Sequence, residues 1–266
     1  MTLEIDADLV KEIVGNEKRL DYRKFDQYRD IVIETDFITS AEGSARVRLG
    51  DSVVVAGVKM DVGEPFPDTP DEGVMMVAAE FLPLASPEFE PGPPGENAIE
   101  LSRVVDRAIR ESKCIDFKKL CITPGEKVWM VFIDLDILDD DGNLIDAAGL
   151  AAMAALLNAR MPALKEDGRT DYDNKTDKKL PMSGVAVSTT FAKIADRIIA
   201  DPSYPEWRAL DARLTVGTVD KGGKTMLSSM QKGGSYGFTL EEIEYIVGKA
   251  VEKGDELRSK IKEAVS

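Results

Sequence analysis

Residues 147–159 read AAGLAAMAALLNA, the most apolar stretch of the chain. In a helix of about 3.6 residues per turn, alanine, leucine and methionine at these positions leave no continuous polar face for water. The stretch is shorter than the roughly 20 residues that a helix needs to cross a bilayer. We therefore predict a helix that is buried on nearly all sides, capped by Asp146 and closed before Pro162.

The composition of the 266-residue chain excludes several kinds of chemistry. Its 49 Asp and Glu against 34 Lys and Arg give a formal net charge of -15, so the molecule as a whole repels nucleic acid. Contact with RNA then requires a local basic patch. The chain has no histidine, which excludes Ser-His-Asp triads, imidazole acid-base catalysis and histidine-containing metal sites. No cofactor is expected.

The two cysteines and the first residues of the chain indicate in which cellular compartment the protein is found. Cys114 and Cys121 have no histidine or further cysteine to complete a metal site, so we expect two buried thiols. The segment TLEIDADLVKEIV at the start of the chain is too acidic for a signal peptide. We expect a cytoplasmic protein that does not associate with a membrane.

Strand patterns precede the apolar helix. Residues 30–62 form three β-branched runs with short breaks, which predicts an antiparallel meander. Residues 74–84 and 128–138 read as two further strands, the second of the buried kind. Before them, residues 9–14 keep helical spacing and stop at Gly15.

The part of the chain after the apolar helix repeats this arrangement. A strand is predicted near 185–195, then a hairpin that turns at 221–223, then a helix over 240–264 that begins with a capping box formed by Thr239 and Glu242. We predict an α+β fold of two related sheet-and-helix units, with mixed sheets packed by helices. The N-terminal unit spans 1–163, a polar insert 164–181, and the C-terminal unit 182–266.

Residues 98–112, AIELSRVVDRAIRES, predict an amphipathic helix with Asn97 as its cap. Arg103, Arg107 and Arg110 fall within an arc of about 60° on its polar side. Each arginine has an acidic residue three or four positions away, and such pairs contribute only about 0.2–0.5 kcal/mol each. The strip is therefore either a solvated ion-paired face or a cationic binding surface.

A second candidate functional site consists of two acidic side chains. Asp134 and Asp136 lie on one face of a predicted strand, where they could hold Mg²⁺ or act as an acid-base pair, or simply be solvated. A calcium loop is excluded, because Ile137 stands where the pattern ahead of Gly142 requires an acidic residue. The glycine-rich segments near 223–237 lack the spacing of a P-loop.

Four segments together resemble a known family, the RNase PH superfamily, and within it the archaeal exosome ring subunit that lacks its own active site. The resemblance extends from about residue 8 to residue 260. Its most specific parts are ELSRVVDRAIRES and LDDDGNLIDAA. The segments are GSARVRLGDSVVVAGVK (43–59), PGENAIELSRVVDRAIRES (94–112), DLDILDDDGNLIDAAGLAAMAAL (134–156) and MQKGGSYGFTLEEI (230–243).

The resemblance implies a non-catalytic subunit in a hexameric ring of three heterodimers with a catalytic RNase PH-like subunit. RNA-binding cap subunits are expected on one face, and single-stranded RNA is expected to thread through the channel and be degraded 3′ to 5′ by phosphorolysis. The match of Arg103, Arg107 and Arg110 to the family's arginine helix implies contacts with RNA phosphates at the partner interface. No catalytic residue and no metal site are expected in this chain.

Two segments depart from catalytic members of the superfamily. Those members carry a Glu-Asp and Ala-Asp series, whereas Asp201, Glu206 and Asp211 are scattered here over 200–217. In RLDYR, Tyr22 stands where the superfamily usually has glycine.

Two alternatives stay open. One is an independently active phosphorolytic exoribonuclease that uses Asp134 and Asp136 with Mg²⁺, which requires these carboxylates to lie in a basic cleft. The other is an assembly subunit that makes no contact with RNA.

Overall fold

The computed structural model describes residues 6–266 and has the predicted α+β architecture. The helices are α1 (Ala7–Gly15), α2 (Glu96–Ser112), α3 (Leu144–Asn158), α4 (Tyr204–Ala209) and α5 (Leu240–Val265), with a 3-10 turn at Phe117–Leu120. The strands are β1 (Ile31–Thr35), β2 (Gly43–Leu49), β3 (Ser52–Gly63), β4 (Val74–Phe81), β5 (Cys121–Thr123), β6 (Lys127–Asp139), β7 (Arg160–Leu164), β8 (Thr170–Lys179), β9 (Val185–Ile194), β10 (Arg197–Ala200), β11 (Ala212–Lys221) and β12 (Lys224–Gly234).

The first sheet is mixed, as predicted. Its strands run in the order β1-β2-β3-β6-β4, with β5 paired to β6. The antiparallel meander predicted over residues 30–62 is confirmed as β1, β2 and β3. Strand β4 pairs parallel to β6, so the long chain between them returns over the face of the sheet through α2.

The second sheet has the order β10-β9-β11-β12 and is antiparallel throughout. The predicted hairpin between β11 and β12 is confirmed. Its turn residues Gly222 and Gly223 have φ of 61° and 82°, values that glycine adopts without steric cost. The capping box of Thr239 and Glu242 at the start of α5 is also confirmed.

Helix α3 lies between the two sheets and is buried along its length, as predicted from its composition. It packs against β2 and β3 of the first sheet and against β9 of the second. Leu150, Met153 and Leu156 are almost completely buried in one apolar core that both sheets share. Truncation of such side chains to alanine typically costs about 2–5 kcal/mol. The burial of α3 therefore stabilises the packing of the two sheets around it.

The structure corrects two helix caps. Helix α3 begins at Leu144 with Asn143 as its N-cap residue, so the predicted cap Asp146 lies inside the first turn. Helix α2 begins at Glu96 after Gly95, so Asn97 is likewise inside the helix. Both predictions were wrong because a helix start was placed at a preferred capping residue, although the backbone was already helical before it.

Three further details differ from the sequence prediction or extend it. The polar stretch after α3 forms the β7–β8 hairpin, and the segment 197–209, for which no element was predicted, forms β10 and α4. Cys114 is buried as expected, whereas Cys121 is only half-buried. No helix within residues 6–266 is long and apolar enough to cross a membrane.

Strand β2 approaches α3 more closely than a side chain allows. A Cβ atom on Gly43 would lie 2.3 Å from the carbonyl oxygen of Ala155 and 2.7 Å from Cα of Ala159. By contrast, a Cβ atom on Gly149 would lie 3.9 Å from Ser188, which is an ordinary van der Waals distance.

We therefore expect opposite effects from the same substitution at these two glycines. Gly43→Ala should lower the free energy of unfolding by about 1–3 kcal/mol, because backbone atoms must move apart. Gly149→Ala should raise it by about 0.5–1 kcal/mol, because alanine is the better helix former. Urea unfolding of both variants checks this, and a Gly43→Ala protein as stable as the parent would contradict the packing.

Candidate nucleic-acid interface

Helix α2 presents its arginines beside the second sheet. Its apolar face, including Leu101, Val105 and Ile109, is buried against β4 and α3, and the helix also contacts β12. The opposite face carries the arginine strip predicted from the sequence. The structure divides this strip into two parts.

Arg110 is engaged within the protein. Its Nε and Nη2 donate to the two carboxylate oxygens of Asp106 at 3.0 and 2.6 Å, and Nη2 also donates to the carbonyl of Met75 at 2.9 Å. The hydrogen bond with Asp106 raises the pKa of Arg110. The predicted ion pair four residues apart is confirmed here, and Arg110 ties α2 to β4.

Arg103 and Arg107 are exposed and form no ion pair with any residue of the 6–266 range. The acidic residue expected to pair with Arg103 has another partner, because Glu100 forms an ion pair with the buried Arg213, with 2.5 Å between Nη2 and the carboxylate oxygen. Arg103 and Arg107 line an open groove with Gln231 of β12. We call these two side chains the cationic ridge.

The acidic candidates lie on a different surface. Asp134 and Asp136 extend from β6 on one face of the first sheet, and Glu80 of β4 pairs in register with Asp136. Desolvation first, and then the charge of Glu80, raise the pKa of both aspartates. Within the described chain neither aspartate forms an ion pair, and no three acidic or cysteine side chains are arranged to hold a metal ion.

The two arginines of RLDYR and the nearby Arg29 form ion pairs that hold the fold together. Arg19 is buried and donates through Nε and Nη2 to Glu206 at 2.8 and 2.5 Å. Arg23 and Arg29 both contact the buried Asp201. Although burial opposes ionisation of Asp201, hydrogen bonds and charges from these two arginines hold its pKa below the usual range. Sequence spacing gave no sign of these contacts, because the partners are more than 170 residues apart.

Tyr22 departs from the family pattern without disturbing these pairs. It has a φ of 62° and is 93% exposed. A left-handed conformation costs a bulky residue on the order of 1–2 kcal/mol, a cost that glycine at this place would avoid. The chain therefore makes the same turn with tyrosine and leaves the ring in solvent.

A second buried network holds the start of α3. The carboxylate of Asp146 accepts from Tyr28 Oη at 2.7 Å and from Asn143 Nδ2 at 2.9 Å. It also accepts from the backbone N and Oγ1 of Thr190 at 2.9 and 2.8 Å, so it joins α3 to β9. Burial of the carboxyl raises its pKa to about 6 despite these donors.

Two family models match successive parts of the chain. The models of domain 1 and domain 2 of the 3′ exoribonuclease (RNase PH) family match residues 27–162 and 184–253. The chain belongs to the RNase PH family. This confirms the resemblance inferred from the sequence segments.

Within that family, the chain is most readily compared with archaeal exosome complex components. The chain is 51% identical to the exosome complex component Rrp42 of Thermococcus gammatolerans, over 97% of this chain and 94% of the relative. It is 49% identical to Rrp42 of Methanothermobacter thermautotrophicus, over 96% and 93% of the two chains.

Two solved structures that superimpose well on this chain also come from archaeal exosomes. A chain of the Archaeoglobus fulgidus exosome with RNA bound to the active site superimposes with a TM-score of 0.88, at 46% identity and 96% coverage of both chains. A chain of an archaeal exosome core gives a TM-score of 0.84 at 42% identity, again with 96% coverage of both. Rice Rrp46 gives 0.69 at 17% identity, which shows a shared fold alone.

The buried Asp146 predicts a measurable dependence of stability on pH. Its folded-state pKa of about 6 lies above the unfolded value of about 3.9, so the folded protein alone keeps the proton between these values. This carboxyl should therefore lower the free energy of unfolding by about 3 kcal/mol as the pH rises from about 4 to about 6.

Carbon-13 NMR of the Asp146 carboxyl should show a titration midpoint near pH 6, and urea unfolding should show the accompanying loss of stability. Asp146→Asn is the control, since this variant lacks that component of the pH dependence. A midpoint below about pH 4 would show that the four hydrogen bonds outweigh burial.

Proposed function

We propose that this chain is a non-catalytic ring subunit of an archaeal exosome-type complex that degrades RNA 3′ to 5′ by phosphorolysis. In this role it supports the active site of a catalytic partner and contacts RNA. The observation that carries the proposal is the cationic ridge, because two arginines that form no ion pair within residues 6–266 line an open groove of a protein whose net charge is -15.

Electrostatics favour the ridge as the place of RNA contact. Phosphate neutralisation by Arg and Lys supplies most of the sequence-independent affinity for nucleic acid. Arg103 and Arg107 can offer their guanidinium groups without first breaking an ion pair, whereas Arg110 would have to leave Asp106. We therefore assign the phosphate contacts to Arg103 and Arg107, and we assign Arg110 to holding α2 in place.

The carboxylates near α4 support a non-catalytic role. Glu206 and Asp201 are committed to buried arginines, as described above. Asp211 accepts from Lys11 Nζ at 2.7 Å and from the backbone N of Ala195 at 3.1 Å. No carboxylate pair in 200–217 is thus left to position a metal ion or to transfer a proton to substrate.

The N-terminus of α3 is also unsuited to inorganic phosphate. A helix N-terminus attracts anions, but the carboxylates of Asp140 and Asp146 lie at this one, where Asp141 is already paired with Arg29. Phosphate would meet carboxylates on entering. The nucleophile of phosphorolysis should therefore be bound by the partner.

The proposed assembly is a hexameric ring of three heterodimers with a catalytic RNase PH-like subunit. RNA-binding cap subunits would bind one face, and single-stranded RNA would pass along the ridge to the partner's site. We place the protein in the cytoplasm and propose that residues 1–163 and 182–266 act as its two units, joined by the insert 164–181.

The alternative of an independent exoribonuclease has less support. It needs Asp134 and Asp136 in a basic cleft, but their near neighbour in register is Glu80. An acidic strip of this kind repels phosphates and is not the basic cleft that this alternative requires. The alternative of an RNA-free assembly subunit leaves the unpaired ridge without a role.

Salt dependence of RNA affinity tests the ridge directly. Each phosphate neutralised by a protein contributes about -0.7 to the log-log salt slope for single strands. Replacing Arg103 and Arg107 with Gln in the assembled ring should therefore flatten the slope by about 1.4 and weaken binding to all sequences alike.

The measurement is a salt titration of a fluorescent single-stranded RNA with the parent ring and the double variant. Arg48→Gln is the matched control, since Arg48 is an exposed arginine on the distant strand β2. An unchanged slope in the double variant would favour the RNA-free assembly subunit.

A further inference from the structure

A cavity of about 160 Å³ opens beside the cationic ridge, between α2, α4 and the loop that leads into α3. Aromatic side chains form much of its wall. Asn97 and Glu100 line both this cavity and the groove that contains Arg103 and Arg107. The aromatic residues of the wall are Phe81, Phe89, Tyr204 and Trp207.

The size and walls of the cavity suit one flat ring. A cavity of about 150 Å³ lined by apolar side chains holds benzene, so a single six-membered ring fits this space. Phe81 and Phe89 pack edge to face with ring centroids 4.8 Å apart, which fixes one wall. The Arg213 guanidinium lies 5.2 Å from the centroid of the Trp207 ring and supports that ring. Aromatic side chains held in this way are the usual platforms for nucleobases.

The polar groups of the cavity are mostly acceptors. Glu88 is paired with Arg208 at 2.9 Å, and Glu100 is paired with Arg213. Within the described part of the chain Asp140 receives a single hydrogen bond, from the backbone N of Gly142 to Oδ1 at 3.0 Å. Its Oδ2 has no partner among residues 6–266, so it can accept from a ligand. A ring that brings an amino group to this place is favoured over one that brings a carbonyl.

We propose that this cavity is a nucleobase pocket that takes a cytosine of the RNA strand held on the ridge, with the N4 amino group donating to Asp140. The pocket rests on the proposed function, because the ridge next to it supplies the phosphate contacts. Acidic side chains accept from cytosine N4 in known base readout. Uracil presents O4 at the same position, where two acceptors would face each other. Purines exceed the size of a single six-membered ring.

The two tryptophans allow a direct test in the full chain. Trp207 lines the cavity, whereas Trp129 lies buried in the core on β6. With nitrogen-15 labelled tryptophan, addition of CMP should shift the indole signal of Trp207 and leave that of Trp129 unchanged. CMP should bind at least about tenfold more tightly than UMP, since uracil replaces the N4 amino donor with the O4 acceptor and the N3 acceptor with N3–H. Equal binding of CMP and UMP, or no shift of Trp207, would overturn the pocket.

A pair of variants tests the acceptor itself. Asp140→Asn can keep the oxygen that receives Gly142 N while replacing the free acceptor with an amide donor, so the preference should turn towards UMP. Asp139→Asn is the matched control, because Asp139 is exposed and does not line the cavity. The Trp129 signal reports that each variant is folded. A preference for CMP that persists in Asp140→Asn would contradict the assignment of Asp140.

Two further comparisons separate this inference from the proposed function. Spermidine that shifts the Trp207 signal at lower concentration than CMP would identify a site for organic cations and overturn the nucleobase assignment. An RNA salt slope that depends on Arg103 and Arg107, together with equal and weak binding of CMP and UMP, would remove the pocket and leave the ring function intact. A slope independent of the ridge would remove the proposed function.

Discussion

A helix without a polar face must be covered on every side, and α3 imposes this constraint on the whole molecule. One sheet alone would leave half of its alanine and leucine side chains in water. The first sheet covers one side through β2 and β3, and the second sheet covers another through β9. The close approach of Gly43 shows how tightly this contact is made. The two units are therefore parts of one core.

The positions of the charged groups follow from this arrangement. With α3 in the centre, the chain around Arg19 and Arg29 lies against the segment after β10, and the arginines pair there with Glu206 and Asp201. Removal of one partner from such a buried pair typically costs about 3–5 kcal/mol. These carboxylates are consequently part of the scaffold. Arg103 and Arg107 of the cationic ridge, by contrast, are exposed on α2 and form no ion pair among residues 6–266.

Elements specified by local sequence were predictable. The meander, the hairpin turn at Gly222 and Gly223 and the capping box of α5 each depend on residues within a few positions of one another. Helix α4 was missed although Ser203 and Glu206 form a capping box, because its six residues give too little periodicity to stand out.

The site was predictable only in part, because pairing between distant segments decides which charges are free. Spacing showed the arginine strip, and it correctly paired Arg110 with Asp106. It could not show that Glu100 is taken by Arg213 from the second sheet, which leaves Arg103 unpaired. Nor could it show the acidic strip, since Glu80 joins Asp136 only through the parallel pairing of β4 and β6.

The most direct test of this account is RNA decay with and without inorganic phosphate. It would compare the chain alone, its RNase PH-like partner alone and the two mixed. We expect phosphate-dependent release of nucleoside diphosphates that is far faster in the mixture than with either chain alone, and none from this chain by itself. Phosphorolysis by this chain alone would contradict the account, and loss of that activity in an Asp134→Asn, Asp136→Asn variant would place the chemistry on the acidic sheet face.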